Sequence, residues 1–372
     1  MVVYILLAII ISFQEFLLSK PGDRFTHYNN FIIFRQSFLH LIQNKDLYIA
    51  HPDVQYDLFK YSPAFAVFMG AFAYLPMLAG LILWNALNAA VLWFAIKSLP
   101  VKNKIVTVSI AWFVVIELIT SMQNSQSNVL MAGLLILAFC FLERRNIALA
   151  TLMICLTVFI KIFGLVAFSL FLLYPEKKKF ILWSALWIVL LILLPLMVVS
   201  PAQLIFLYKS WYAMLSMDYS GSWGISVMGW LHTWFHFDPP KNVITLLGIA
   251  IFCLPLLFYK RFGEEIFRNL FLSSILIWVI IFNHKAESAT FIIAVCGIAI
   301  WYFMQQRTTL NFILLLLAFI FTMLSPTDLF PPVVRNSFMV PYTMKVFPCI
   351  LIWLKIIWEM MVASYKPRVM PG

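Results

Sequence analysis

Ionisable and amide side chains are scarce in this sequence and fall into a few short intervals. Asp57 stands three residues before Lys60, Asp46 lies further upstream, and Glu287 shares the hexapeptide NHKAES with His284 and Lys285. A carboxylate in such a place is either a general base for an attacking hydroxyl or an ordinary ion-pair or helix-cap partner. Lys161 interrupts the apolar run TLMICLTVFIKIFGLVAF, where a charge is costly unless it is paired or faces a polar cavity. It reads either as a cation for an anionic group or as a stem that snorkels to the membrane surface. Gln123, Asn124, Gln126 and Asn128 gather amides suited to hydroxyl recognition or to helix capping. Trp211, Trp223 and Trp230 offer stacking faces for a ring or a hydrocarbon chain, and are equally common as interfacial anchors. His232 and His236 have i, i+4 spacing with Asp238 close behind, but a His pair beside Trp is more often an interfacial helix, and no metal is assigned.

The elements that must position these groups are membrane helices. Of 372 residues, 63% are hydrophobic and 11% charged, and the apolar residues come in long runs between short charged clusters. That pattern predicts an all-α polytopic membrane protein, with residues 1–372 forming a single integral domain. Segment 2–18 lacks a basic stretch before it and a small-residue cleavage site after it, so it reads as a retained helix. Cys140, Cys155, Cys253, Cys296 and Cys349 all lie in apolar runs without CxxC spacing, which argues against a disulfide framework or a metal site. The net charge of +11 resides in short clusters between apolar segments, the product of topology selection rather than of nucleic-acid binding.

Placing those clusters in the cytoplasm fixes a map: Lys97, Lys102 and Lys104; Arg144 and Arg145; Lys177 to Lys179; Lys260, Arg261 and Arg268; then Arg307, Lys366 and Arg368. The apolar segments between them pair as 105–120 with 128–142, 146–160 with 162–174, 180–199 with 242–258, 267–282 with 287–303, and 310–324 with 346–363. Between Tyr61 and Lys97 only one crossing is allowed. The stretch 64–75, bracketed by Pro63 and Pro76, is therefore assigned to the outer interface and 78–96 to the bilayer. About 12 spans result, with both termini cytoplasmic; a thirteenth at 64–75 is the alternative. The first outer loop, 19–77, contains Asp23 and an amphipathic stretch whose Phe31, Phe34, Phe38, Leu41 and Ile42 share one helical face. From Asp46 to Pro63 it has the character of a structured loop. Further outer material lies at 120–128, 200–241, 283–288 and 325–338, so the protein works at its outer face. No inverted pair of broken helices or repeat of 20–50 residues is visible.

Several of these pieces together resemble glycosyltransferase family 87: Asp46-Leu47-Tyr48, Tyr61-Ser62-Pro63, an apolar run ending in Leu75-Pro76, Gln126-Ser127-Asn128, and the lone Lys161. The resemblance runs over most of the chain and is strongest in its first half. It implies a GT-C-type bundle with amphipathic juxtamembrane helices in the first outer loop. It also implies an inverting enzyme of the cytoplasmic (inner) membrane, acting on the outer, periplasmic side. The donor would be a polyprenyl-phosphate hexose, such as mannose, or pentose, and the acceptor a glycolipid or cell-envelope glycan, with the lipid bilayer as surroundings and no further cofactor. The chain departs from the family where an early outer-loop Asp is usual, since the family's spacing back from Tyr48 lands on Asn30. The usual Gly before QxN is Ser125.

Such a transfer needs a base, an anion-stabilising group and sugar contacts. Asp57 is expected as the base, followed by Asp46 and Glu287. Lys161, His284, Lys285 and Lys60 are the candidates for the donor phosphate. Asn30, Tyr61, Gln126, Asn128 and Trp223 are those for sugar and acceptor. The rival classes are a polytopic transporter or lipid flippase and a non-catalytic scaffold of the same fold. A transporter predicts ionisable groups near the bilayer midplane, whereas here Glu117 and Lys161 are read as lying close to loop ends.

Overall fold

The computed structural model describes residues 1–19, 25–217, 222–305 and 308–362; Asp23, Arg307, Lys366 and Arg368 lie outside them. Among the described residues the chain is all-helical. It divides into two compact units, the first comprising 1–98, 119–165 and 176–221, the second 99–118, 166–175 and 222–372.

The first unit begins with α1 (Val2–Leu18), α2 (Asn29–Ile42), α3 (Pro63–Ala73) and α4 (Met77–Ser98). Helix α3 starts with Pro63, whose missing N–H is no loss in a first turn, after Ser62, whose hydroxyl accepts from Phe65 N at 3.2 Å. Its last carbonyls are capped from α2, where Arg35 donates to Ala73 O at 2.7 Å and Leu75 O at 3.3 Å. The amphipathic face of α2 is set as the spacing predicts at Phe31, Phe34 and Leu41, all buried, but Ile42 is exposed and Ile33 is buried instead. The helix ends at Ile42, so its last residue has no following turn to turn inward.

Then come α5 (Lys104–Phe113), α6 (Val115–Gln123), α7 (Asn128–Glu143), α8 (Ile147–Ile160), a 3-10 run at Ile162–Leu173, α9 (Lys177–Leu193) and α10 (Pro201–Met217). In the first unit α4 packs between α1 and α7, α7 against α8, and α8 against α9. Gly133 lets α7 approach α4 closely: a Cβ there would stand 2.8 Å from Val91 Cγ1 and 3.1 Å from Leu92 N. The turn between α7 and α8 carries Arg145 at φ 58°, and Asn146 caps α8 through Leu149 N at 3.2 Å.

The second unit holds α5, α11 (Val227–Phe235), α12 (Lys241–Cys253), α13 (Glu265–Ile281), α14 (Phe291–Phe303), α15 (Thr309–Leu317) and α16 (Phe347–Val362). Its centre is the antiparallel pair α13 and α14, buried almost throughout, with α16 and α5 packed on it.

Three helical stretches are long and apolar enough to cross a membrane: Met77–Ser98, Lys177–Met197 and Lys241–Arg261. A fourth is the pair α5 and α6 taken together, bent by 41°. The other apolar helices counted with them run to 10–17 residues, and the short stretch after Pro63 is one of these. In the second of the long stretches only 17% of the apolar window is buried, which leaves Ile181, Leu182 and Val189 for lipid to cover. The chain is thus an all-α membrane protein. Among the described residues the crossings recognisable by length and composition number three or four.

Candidate active site at the start of α7

Three helix ends meet in the first unit. The N-terminus of α3 joins the C-terminus of α8 through Ser62, whose Oγ and backbone N donate to Phe159 O at 2.6 and 3.4 Å. The N-terminus of α7 joins them through Ser127, whose hydroxyl donates to the Tyr61 hydroxyl at 3.3 Å. Lys161 lies where α8 stops: its backbone is extended, at φ −139° and ψ 124°, so it stands in the break between α8 and the 3-10 run rather than within a helix. Its ammonium donates to Asn128 Oδ1 at 2.6 Å and sits 5.8 Å from the Tyr61 ring centroid. Asn128 in turn donates to Gln126 Oε1. The Tyr61 ring is fixed edge-on by Phe34 at 4.8 Å and stacked on Phe65 at 4.7 Å.

The expected residues of this group are therefore brought together: Lys161, Tyr61, Gln126 and Asn128. Asn30 reaches the same turn, donating from Nδ2 to Asn124 O at 2.9 Å. A half-buried lysine and the Gln126 and Asn128 amides thus stand together where α3 and α7 begin, an arrangement in which an anionic oxygen gains from the ammonium.

The carboxylates behave differently from one another. Asp57 is 58% exposed, 3.8 Å from Lys60, and accepts from Leu58 N at 2.7 Å, the ion-pair and turn role open to it from sequence. Asp46 is half-buried: the Ser210 hydroxyl lies 2.8 Å from each of its oxygens, and Tyr48 N donates to it at 3.0 Å. The Tyr48 hydroxyl continues to Tyr61 O at 3.0 Å, so Asp46 is joined to the Lys161 group through one side chain. Burial, with Tyr208 and the Asp46 charge beside it, pushes the Tyr48 phenol well above its usual range and keeps it a donor. Tyr48 and Ser127 lie inside the motifs that carry the resemblance without a role of their own; Ser210 was not singled out, since it lies 164 residues from Asp46 and no local signal links them.

In the second unit, Glu287, His284 and Lys285 occupy the turn between α13 and α14. Glu287 O accepts from the Thr290 hydroxyl at 2.6 Å, and Lys285 N donates to Asn283 Oδ1 at 3.0 Å. Trp223 stacks on His232 at 5.3 Å and carries the Lys241 ammonium 5.1 Å from its ring centroid. The following Gly224, at φ 58°, lies directly against this turn; a Cβ there would stand 2.5 Å from His284 O. Ile225 N donates to Ala286 O at 2.8 Å. Trp223 and the NHKAES turn thus share one neighbourhood. His232 is paired with Asp238, while His236 ends α11 in a left-handed conformation.

Sequence reasoning missed a charge pair in this unit. Glu117 is fully buried, and its Oε1 accepts from Lys345 Nζ at 2.7 Å. The same ammonium donates to Ser288 Oγ at 3.0 Å and lies 5.0 Å from the Phe291 ring centroid. The signal was present: Glu117 and Lys345 are opposite charges, one within an apolar run and one immediately before another.

No curated protein matches the chain. The family model for glycosyltransferase family 87 matches residues 59–326, more than two thirds of the chain. That range takes in Lys60, Tyr61, Gln126, Asn128, Lys161, Trp223, His284, Lys285 and Glu287, and begins after Asn30, Asp46 and Asp57. With Tyr61, the Gln126–Asn128 turn and Lys161 assembled as described, this match makes the chain a member of glycosyltransferase family 87, a membrane glycosyltransferase.

Proposed function

We propose that the protein transfers a sugar, a hexose such as mannose or a pentose, from a polyprenyl-phosphate donor to a hydroxyl of a glycolipid or cell-envelope glycan. The observation that carries the reading is the Lys161 ammonium on Asn128 where α3 and α7 begin. The donor phosphate leaves with the electrons of its bond to the sugar, and a fixed cation is the group that stabilises it. The acceptor oxygen forms the new bond to the anomeric carbon with inversion, and its proton passes to a carboxylate. Asp46 is placed ahead of Asp57 and Glu287 for that role, because Tyr48 joins it to the Lys161 group. Gln126 and Tyr61 offer polar groups to sugar hydroxyls, the buried Asn128 holds the Lys161 ammonium, and Asn30 holds the turn they stand on. The lipid-linked sugar is a substrate, and the reading requires no further cofactor.

The outer side is favoured by the charge pattern. Helices α7 and α8 meet at Arg144 and Arg145, and the Lys161 group lies at their opposite ends. With the basic clusters cytoplasmic, the about 12-span map puts this group on the outer side of the cytoplasmic membrane and both termini inside.

The test is transfer of radiolabelled sugar from polyprenyl-phosphate hexose and pentose donors by the purified protein in lipid. Lys161→Ala is expected to lower the rate by about a hundredfold or more, the scale seen when one anion-stabilising donor is removed. Asp46→Asn is expected to abolish transfer while Asp57→Asn leaves most of it. A wild type that transfers from none of these donors, or a Lys161→Ala protein that keeps the wild-type rate, overturns the reading.

A further inference from the structure

The turn that presents Asn128 to Lys161 is held from behind by α4. Ser125, fully buried, has φ 51°, the left-handed region that a side-chain-bearing residue rarely adopts. Its own carbonyl accepts from the Trp84 indole N–H at 2.9 Å. One turn further along α4, Asn88 Oδ1 accepts from Leu130 N at 2.9 Å, so a neighbouring helix satisfies one of the first-turn amides of α7. Asn88 Nδ2 donates back to Trp84 O at 2.9 Å, which fixes its amide orientation and ties the two clamps together. Trp84, Asn88 and Asn128 are all essentially inaccessible to solvent. Between the two clamps lie the residues Gln126, Ser127 and Asn128.

We infer that Trp84 and Asn88 are positioning residues: they brace the turn 125–130 so that the Asn128 amide meets the Lys161 ammonium. Neither side chain reaches the ammonium itself. The Trp84 clamp offsets the strain at Ser125 by occupying the carbonyl of the strained residue, and the Asn88 clamp sets where α7 begins. The contact lies between protein side chains and does not depend on which donor is used.

The readout is the reactivity of the Lys161 amine, followed by competitive acylation across pH and mass spectrometry of purified protein. Asn128→Ala removes this acceptor from the ammonium and sets the reference limit of labelling. Trp84→Phe, which keeps a ring but removes the N–H, and Asn88→Leu, which keeps the bulk but removes the acceptor, are expected to raise Lys161 labelling several-fold toward that limit. Circular dichroism separates these effects from unfolding, and Trp84→Phe carries the test should Asn88→Leu fail to fold. Wild-type labelling in folded Trp84→Phe or Asn88→Leu overturns the inference, as does an Asn128→Ala protein whose Lys161 is no more reactive. Sugar transfer measured on the same samples reports on the proposed function separately: absent transfer with the expected labelling rejects the function and keeps the positioning role.

Discussion

Lys161 shows what residue type alone conveys and what it does not. A lysine within an apolar run signals a partner or a cavity, and Asn128 supplies the partner. Its backbone setting was not legible, because the run around it stays apolar straight through the break between α8 and the 3-10 segment. The ranking of Asp57 over Asp46 followed local spacing to Lys60 and the Tyr61 turn, whereas the contact that distinguishes Asp46 comes from Ser210 on a distant helix. His40 belongs to the same scale. Burial, with His51 at a ring-centroid distance of 4.1 Å and Lys45 nearby, lowers its pKa to about 4. Unfolding returns it toward about 6.5, so the unfolded chain binds the extra proton first. The associated stability is present above pH ~6.5 and is lost as pH falls toward ~4. Thermal unfolding in detergent should therefore show a melting temperature that declines through this window, with a shallower decline in His40→Gln.

At the scale of elements, several apolar segments were readable, though the caps that start them were not identified. Segment 2–18 is α1, 78–96 is the body of α4, and the short stretch after Pro63 is a helix with Ser62 as its cap. The 41° bend between α5 and α6 was not, since neither Pro nor Gly marks it. The contact between α4 and α7 was also hidden, because it depends on one glycine among many small residues. At Gly133 an added methyl meets Val91 and the backbone of Leu92, which yields less readily than a side-chain end. Gly133→Ala is expected to destabilise the protein by about 1–3 kcal/mol through overpacking, measured as a lower melting temperature. The gain in helix propensity at an interior position, about 1 kcal/mol, opposes this without cancelling it.

The whole molecule combines a lipid-facing exterior with a few enclosed charges. Glu117 and Lys345 are 228 residues apart, and only the fold makes them partners. Lys345→Met leaves a carboxylate buried without its counter-charge and is expected to cost about 3–5 kcal/mol, whereas adding Glu117→Leu should recover most of that loss in the same unfolding measurement. Topology is testable at this scale too. With Cys253, the exposed cysteine, changed to Ser, a cysteine at Asp53 should react with a membrane-impermeant thiol reagent from outside, and one at Lys178 only after the membrane is opened. The reverse pattern would invert the orientation read from the basic clusters. The 3-10 run after Lys161 has a consequence of another kind. At about 2.0 Å per residue its 12 residues reach about 24 Å, where an α-helix of the same length reaches about 18 Å. The run gains reach for its number of residues at the expense of weaker internal hydrogen bonds. Rewound as an α-helix the same residues would reach about 6 Å less, and Lys161 stands at the first link of that change.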